Sequence, residues 1–389
     1  MKVMFFLSFL LIFSSFILYP LLLIIYQVFN KSKTTEPKKE VLVESSLPCV
    51  SLIITAFNEE KSIRKKLDNS VSLDYPKDKL EIIVVSDYSN DRTDDIVREF
   101  LDKTQSIRLI RTEKRVGKVS AQNKAVEASK FDLLAFSDAN NFWKKDALIN
   151  LVKCSQIDGV SCVCGKLVYV NEDETKTSSS ESLYWKIENR LKEIESCFYS
   201  LTALNGGIYM VKKSDYLLAN SVYSHDLYFP LFFGKYRKKT VFCKDAVAFE
   251  RSGTNLSDEK KRKTRMFSEV YKFFIENPRF FLSPLNYNIK FFISVFLHRT
   301  VRYLLPFLHI MMFITNIFLL KSGLFFEIVF LIQIVFVILA LIGLISGNKN
   351  KILHFLFYYL FFLATMLLGF WKFLRKEVKP YWDTADSAR

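Results

Sequence analysis

An α/β domain on a mostly parallel sheet flanked by helices, held by one N-terminal and about three C-terminal transmembrane helices, is the fold class this sequence predicts. Three observations carry it. Strand-like and helix-like runs alternate from Val50 to Phe136. A charge-free apolar stretch runs from Met4 to Tyr26, and a second, longer apolar region runs from about Ile289 to Phe373.

The N-terminal stretch, MFFLSFLLIFSSFILYPLLLIIY, is about one bilayer long at helical rise. A cleaved signal peptide is the competing reading, but the apolar run exceeds a normal signal core and no A-x-A-like site follows it. Residues 1–30 are therefore expected to be an anchor, and the lysine-rich 31–47 a juxtamembrane linker. Lys31, Lys33, Lys38 and Lys39 follow the anchor, which by the positive-inside rule puts the middle domain, 48–270, in the cytosol.

Within that domain Val50 to Ile54 is a β-branched run of buried-strand type, and Glu59 to Asn69 reads as helix. Leu80 to Val85 is the next strand, and Asp91 is placed to cap a helix over Thr93 to Leu101. Further strands are expected at 107–110 and 132–136, with a helix from Val119 to Ser129 between them. After the domain, 271–301 is expected to be an interfacial segment, since Ile289 to Val301 is apolar but ends in His298-Arg299. Short polar breaks at 321–323 and 347–351 then divide 302–373 into spans near 302–320, 323–346 and 352–371. Three spans put the tail, 374–389, on the outside, whereas Lys372, Arg375, Lys376 and Lys379 argue for the inside. A re-entrant or surface-lying segment between 289 and 371 would reconcile the two.

The 389 residues carry a formal charge of +15. That would fit nucleic acid, yet no aromatic-interleaved basic strand is present, and the membrane segments favour anionic lipid and diphosphates as partners. The six cysteines are scattered without metal-site spacing and are expected to be reduced, mostly buried thiols. Cys162-Val163-Cys164 reads as strand alternation.

In such sheets ligands bind beyond the carboxyl ends of the strands. There the sequence places Thr55-Ala56-Phe57-Asn58-Glu59-Glu60, then Ser86-Asp87-Tyr88-Ser89-Asn90-Asp91, then Ser137-Asp138-Ala139-Asn140-Asn141. One such cluster alone is an ordinary helix cap. Three along one sheet edge describe a polar crevice. Asp138, leaving a buried strand beside Asn140, has the oxygen donors that a hard cation such as Mg²⁺ or Mn²⁺ takes, and that cation would bridge a diphosphate.

These motifs resemble those of the membrane-bound family-2 glycosyltransferases, which include synthases of hyaluronan, cellulose, chitin and poly-N-acetylglucosamine. Residues 55–60 resemble their first nucleotide-binding motif, 85–91 their uracil-binding Asp motif, and Arg115-Val116-Gly117-Lys118 their Gly-Lys turn. Ser137-Asp138-Ala139-Asn140 is similar to their D-x-D metal motif, with Asn in its third position. Glu181 to Trp185 and Leu204 to Val211 look like their acceptor-side helix and Gly-rich strand. Ser224-His225-Asp226 falls where they carry Glu-Asp or Asp-Asp, and Arg262-x-x-Arg265-Met266 falls at their Q-x-x-R-W, with Arg262 for Gln and Met266 for Trp. Trp382 and Arg389 resemble a common tail of the family.

The resemblance implies a GT-A-like fold and a metal-dependent, inverting transferase of hexosyl or N-acetylhexosaminyl type at the plasma membrane. Its donor would be a UDP-sugar. It implies Asp226 as catalytic base, Asp138 and Asn140 at the metal, and donor contacts from Ala56, Phe57, Asn58, Glu59, Asp87, Lys118, Asp138, Arg262 and Arg265. A base is required because the acceptor hydroxyl must lose its proton as it attacks the anomeric carbon. A guanidinium suits the diphosphate because its fork meets phosphate oxygens bidentately. The acceptor is a growing glycan or a lipid-linked group, and Met266 in place of Trp bears on whether transfer is processive. A non-catalytic membrane module that retains the fold is the alternative from another class.

Overall fold

The computed structural model describes residues 1–30, 47–102, 104–170, 176–251, 256–346, 350–379 and 381. Lys31, Lys33, Lys38 and Lys39, nearly all of the expected linker, and Trp382 and Arg389 lie outside the described residues, as do the side chains of 176–184.

Eight strands form one sheet in the order β3-β2-β1-β4-β7-β6-β8-β5. They are β1 (Val50–Ala56), β2 (Leu80–Ser86), β3 (Ile107–Arg111), β4 (Leu133–Asp138), β5 (Asn141–Trp143), β6 (Val160–Val170), β7 (Tyr209–Lys212) and β8 (Lys239–Arg251). The first four pair in parallel, and β7 enters antiparallel between β4 and β6. The helices that connect them are α3 (Ile63–Val71), α4 (Thr93–Leu101), α5 (Lys118–Ala128), α6 (Ala147–Ser155), α7 (Lys176–Phe198) and α8 (His225–Lys235). They follow the expected order, with each strand near 86 and 138 ending closer to its acidic cluster than the hydropathy alone places it. Asp91 does accept a hydrogen bond from the Thr93 amide at 3.0 Å, and the helix runs from Thr93 as expected, but the N-cap position falls one residue later than Asp91, at Arg92.

Continuous burial of β1 and β2 follows from their position inside a sheet covered on both faces. Leu52, Ile54, Ile82 and Val84 pack on one face, whereas Ile53, Ile83, Val85 and Phe136 pack on the other. The period of two thus survives although no residue is polar for solvent's sake. Cys162 and Cys164 join the second cluster and Val163 the first, as strand alternation requires, and all six cysteines are free thiols. Phe136 stacks on Tyr209 at 4.6 Å between ring centres, so its truncation to Ala would cost about 3–5 kcal/mol.

A long helix, α9 (Leu256–Glu276), closes the domain, and α10 (Arg279–Leu282) and α11 (Ile289–Ser294) lead to the membrane part. Two expected boundaries move. The domain edge at 270 falls inside α9, which carries its charged face onward to Lys272 and Glu276. Residues 289–301, expected as a separate interfacial helix, pass through a π-helical turn at Val295–Thr300 directly into α12 (Val301–Leu319). The His298-Arg299 pair that argued for a break is instead buried against the domain. Among the described residues four helical segments are long and apolar enough to cross a membrane: Lys2–Phe29, which includes α1 (Lys2–Phe13) and α2 (Tyr19–Phe29), then Ile289–Ser322, Leu324–Ile345 within α13 (Leu324–Ser346), and α14 (Lys351–Leu374).

A buried polar cluster joins these helices to the domain. Glu195 on α7 accepts from the Tyr19 hydroxyl at 2.5 Å and lies 2.5 Å from His298 Nδ1. Glu188 lies 3.3 Å from His298 Nε2 and accepts from Arg299 and Arg302, both at 3.2 Å. Arg299 Nε also donates to Thr202 at 2.9 Å. Both carboxylates of the cluster are met by its own cations and hydroxyl, which is the condition for burying charge at tolerable cost, while the buried Arg302 Nε has no hydrogen-bond partner among the described residues.

Candidate active site

The three strand-end clusters lie side by side at one edge of the sheet, since β1 pairs in parallel with both β2 and β4. The loop after β1 and the loop after β2 are laced together: the Asn58 amide donates to Ser89 Oγ at 3.1 Å, the Asn90 amide to Asn58 Oδ1 at 2.9 Å, and the Glu59 amide to Thr93 Oγ1 at 2.7 Å. Asn58 and Tyr88 both take positive φ, 52° and 62°, which Asn tolerates and Tyr adopts only under constraint. Ala56 ends β1 fully buried, and the Phe57 ring carries the Arg115 guanidinium 3.7 Å from its centre.

Asp87 is buried and spends both oxygens on the Gly-Lys turn. Oδ1 accepts from the Val116 amide at 2.8 Å and Oδ2 from the Gly117 amide at 2.9 Å. Gly117 takes φ +89°, a conformation that L side chains rarely adopt, and immediately starts α5. That start aims Lys118 across the crevice. Its Nζ lies 2.5 Å from Asp138 Oδ1, whose side chain is about a third exposed. Burial would lower the Lys118 pKa, but the carboxylates of Asp138 and Asp226 outweigh it and the value is raised.

Asp226 stands in the first turn of α8, behind an N-cap in which Ser224 accepts from its amide. Burial pushes its carboxyl up from the ordinary range; Lys118 pulls down, Asp138 pushes up again, and the net direction is upward. The Gly-rich segment is explained by its neighbours. A Cβ on Gly206 would sit 2.8 Å from both carboxylate oxygens of Asp226, and one on Gly207 would sit 2.6 Å from Asn141 Nδ2. A side chain at either position of this turn would displace Asp226 or Asn141 from its place.

Asn140 donates to Glu250 on β8 at 3.4 Å and accepts from Asn141 at 3.3 Å. Among the described residues no group of three or more His, Cys, Asp or Glu gathers as a metal cage. Asp138 with an amide beside it instead suits a cation such as Mg²⁺, which is commonly held by one or two carboxylates and completed by substrate phosphates.

On α9 the two arginines part company. Arg265 pairs with Glu269 at 2.7 Å, and Glu269 is close enough to Asp226 and Lys118 for their charges to act on it. Arg262 turns to Glu259, donating from Nε at 2.8 Å and from a terminal nitrogen at 3.0 Å. Asp87, Lys118, Asp138, Asp226 and Arg265 therefore form one connected chain of neighbours, with Arg262 one turn further out.

Several groups escape a linear reading. Lys66 on α3 is fully buried beneath the strand-end turn, where its Nζ donates to Ser137 Oγ and the Asn141 carbonyl, each at 2.7 Å. Burial brings its pKa down to about 7 against the pull of Asp138. Lys192 on α7 donates to the Leu204 carbonyl at 3.2 Å and to Asn205, and so fixes the turn before β7 that carries Gly206. His225 stacks on Phe229 at 4.3 Å with its Nδ1 3.0 Å from Gln122 Oε1. Burial and then Lys118 push its pKa down to about 3, so a neutral ring stands beside Asp226. Only Glu269 left a sequence signal, as the i+4 partner of Arg265.

Residues 51–216 match the family model described as Glycosyl transferase family 2. A probable glycosyltransferase of Bacillus subtilis, YdaM, is 43% identical over 133 residues, which are 33% of this chain and 32% of that protein. The dolichyl N-acetyl-alpha-D-glucosaminyl phosphate 3-beta-D-2,3-diacetamido-2,3-dideoxy-beta-D-glucuronosyltransferase of Methanococcus voltae is 32% identical over 161 residues, 41% of this chain and 46% of that one. The matched parts thus span a third to a half of these relatives. A solved mannosyltransferase from Pyrobaculum calidifontis, in complex with GDP-Man and Mn²⁺, superposes with a TM-score of 0.67 over 96% of this chain and 99% of that one, at 19% identity, which establishes the likeness of fold. Residues 51–216, which carry the three strand-end clusters, thus match a family-2 glycosyltransferase domain, on a sheet that is GT-A-like in fold and attached to helices long and apolar enough to cross a membrane.

Proposed function

We propose that the protein is a membrane-bound inverting glycosyltransferase that moves a hexosyl or N-acetylhexosaminyl group from a UDP-sugar to a growing glycan or a lipid-linked acceptor. The domain faces the cytosol at the plasma membrane, and the product serves cell-surface polysaccharide synthesis. The observation that carries the reading is the placement of Asp226, with its raised pKa, in one crevice with Lys118 and Asp138.

A carboxylate with an elevated pKa is the better proton acceptor. Asp226 takes the proton of the acceptor hydroxyl while that oxygen bonds to the anomeric carbon and the bond from carbon to diphosphate breaks. Lys118 and Arg265 meet the negative charge that grows on the leaving UDP. Asp87 holds the Gly117 turn in place, and the loop of Ala56, Phe57, Asn58 and Glu59 walls the nucleoside side; Arg262 lies at the outer edge of the diphosphate region. Asp138 and Asn140 would hold Mg²⁺ or Mn²⁺, which when bound supplies charge neutralisation to the diphosphate.

Single-sugar transfer is the second reading. Met266, where similar enzymes carry Trp, is 39% exposed and offers no ring for a sugar to stack on.

The test is nucleotide release by the purified full chain in detergent with Mn²⁺, offered UDP-sugars and GDP-mannose in parallel, beside Asp226→Asn. Acceptor-dependent UDP release that Asp226→Asn abolishes supports the reading. Turnover of GDP-mannose alone removes the UDP donor, equal release by both proteins removes the base, and silence with every donor favours a non-catalytic module.

A further inference from the structure

The helix α14 is apolar enough to cross a membrane, and Tyr359 and Phe370 on it meet Phe336 of α13 and Phe307 of α12, yet from Tyr358 to Phe370 it also runs along a charged helix. It runs beside α9 in the same direction. The Tyr358 hydroxyl donates to Glu259 at 3.4 Å, and Lys263 lies over the rings of Tyr358 and Phe362 at 5.6 and 5.5 Å. Phe267 meets Phe362 at 5.0 Å, the Gly369 position abuts Phe267 so closely that a Cβ would come within 2.6 Å of its side chain, and Tyr271 meets Phe370 at 5.3 Å. The two helices therefore stay together for about 18 Å. Over that length α9 carries Glu259, Lys260, Lys261, Arg262, Lys263, Arg265 and Glu269, too many charges for the hydrocarbon core. A helix bound to it along that length shares its depth.

The sides of the membrane can be counted from contacts. Phe5, Leu319 and Phe326 form one cluster, so the start of α1, the end of α12 and the start of α13 lie together. At the other end of the first membrane segment Tyr26 meets Phe198 of the domain at 4.9 Å, and Lys290 reaches the Tyr26 hydroxyl at 3.4 Å. Thus α12 leaves the domain side and α13 returns to it. Beyond α14, the Tyr381 ring lies 4.9 Å from the Arg115 guanidinium, which in turn covers Phe57 in the crevice. The stretch from Leu374 to Tyr381 reaches at most about 25 Å even when fully extended, less than the roughly 30 Å of a hydrocarbon core. A third crossing would strand Tyr381 on the far side.

We propose that α14 does not cross the bilayer but lies in its interface on the domain's side, and that the basic tail remains on that side. The partner of its outer surface is anionic lipid. Exposed Phe355, Leu368, Trp371 and Leu374 enter the acyl boundary, and Lys372, Arg375 and Lys376 meet the headgroups; the Arg375 guanidinium lies 5.2 Å over the Trp371 ring, an aromatic and basic pair of the kind enriched at that depth. This arrangement reconciles the basic tail with the apolar segments before it.

The experiment places cysteines singly at Lys145 in the domain, Lys321 between α12 and α13, and Glu377 after α14, all three exposed. The full chain in its membrane is treated with an impermeant maleimide, in intact cells and in everted vesicles, and modified sites are read by peptide mass. Lys145→Cys and Glu377→Cys should label in the same preparation, and Lys321→Cys in the other. Labelling of Glu377→Cys together with Lys321→Cys overturns the proposal, as does labelling of all three from one side. None of these readouts needs donor turnover, so the result is independent of the proposed reaction.

Discussion

Two buried clusters of charge in this molecule respond to burial in opposite ways. At the junction of α7 with the membrane helices, burial would raise the pKa of Glu188 and Glu195, but His298, Arg299 and, for Glu188, Arg302 outweigh it and both carboxyls fall below their ordinary value. In the crevice, Asp226 undergoes the same desolvation, and the opposing pull of Lys118 does not overcome it. The difference lies in contact. Each junction carboxylate is held directly by cationic or hydroxyl donors, whereas Lys118 gives its direct contact to Asp138 and acts on Asp226 only at a distance. One cluster is closed and holds the fold together; the other retains a proton affinity that chemistry can use.

The comparison is broken most directly at Asp226. Its replacement by Asn should lower acceptor-dependent turnover by about 10²–10⁴-fold while thermal unfolding in detergent is unchanged. A larger activity-neutral shift in unfolding would move Asp226 into the structural class. The opposite pattern is expected at the junction: Glu188→Ala leaves Arg299 and Arg302 buried without their carboxylate, at a cost of about 3–5 kcal/mol, read as a lower unfolding midpoint at equal donor affinity per folded molecule. Gly206→Ala tests how finely Asp226 is placed. The added methyl collides with its carboxylate, and turnover should fall by up to about 100-fold with the donor still bound.

The mildest change is Lys118→Met. Lys118 lowers the Asp226 pKa, so its loss raises that pKa further. The base works only when deprotonated, so activity present at high pH is lost as pH falls through the pKa, and the acid limb of the rate profile should move to higher pH. The proposed reaction also sets Lys118 against the donor, so the profile must be taken at saturating donor. An unmoved limb would detach Lys118 from Asp226.

How much of this the sequence disclosed depends on range. The strands and their acidic ends were legible because β-branched runs and small polar residues are local signals, and Asp87 and Asp138 were marked through them, whereas Asp226, in the first turn of a helix, was marked only by its resemblance to the acidic pair of the family. Lys66 and Lys192 were not. Each reads as an ordinary lysine on a helix face, and only the assembled sheet puts one under the turn at Ser137 and the other under Asn205. Glu250 ends a strand far from Asn140 in the chain, and nothing local marks it as that residue's partner. His298-Arg299 misled for a related reason: charges that interrupt an apolar run look like a water boundary unless the distant carboxylates that pair with them are known. The conflict between basic tail and helix count was visible in the sequence, but its resolution depends on contacts between α9, α14 and Arg115.

The hydroxyl of Tyr19 carries one more implication. Because a side chain from the first membrane helix donates to Glu195 inside the domain, that helix is part of the interior as much as it is a tether. A shortened chain that begins after residue 30 would lose that donor and expose the apolar faces of Leu191, Ile194 and Phe198, which Tyr19 and Leu23 cover. Efforts to obtain a water-soluble enzyme from this protein should therefore begin by rebuilding that seam, with a polar donor supplied to Glu195, before any cut is made.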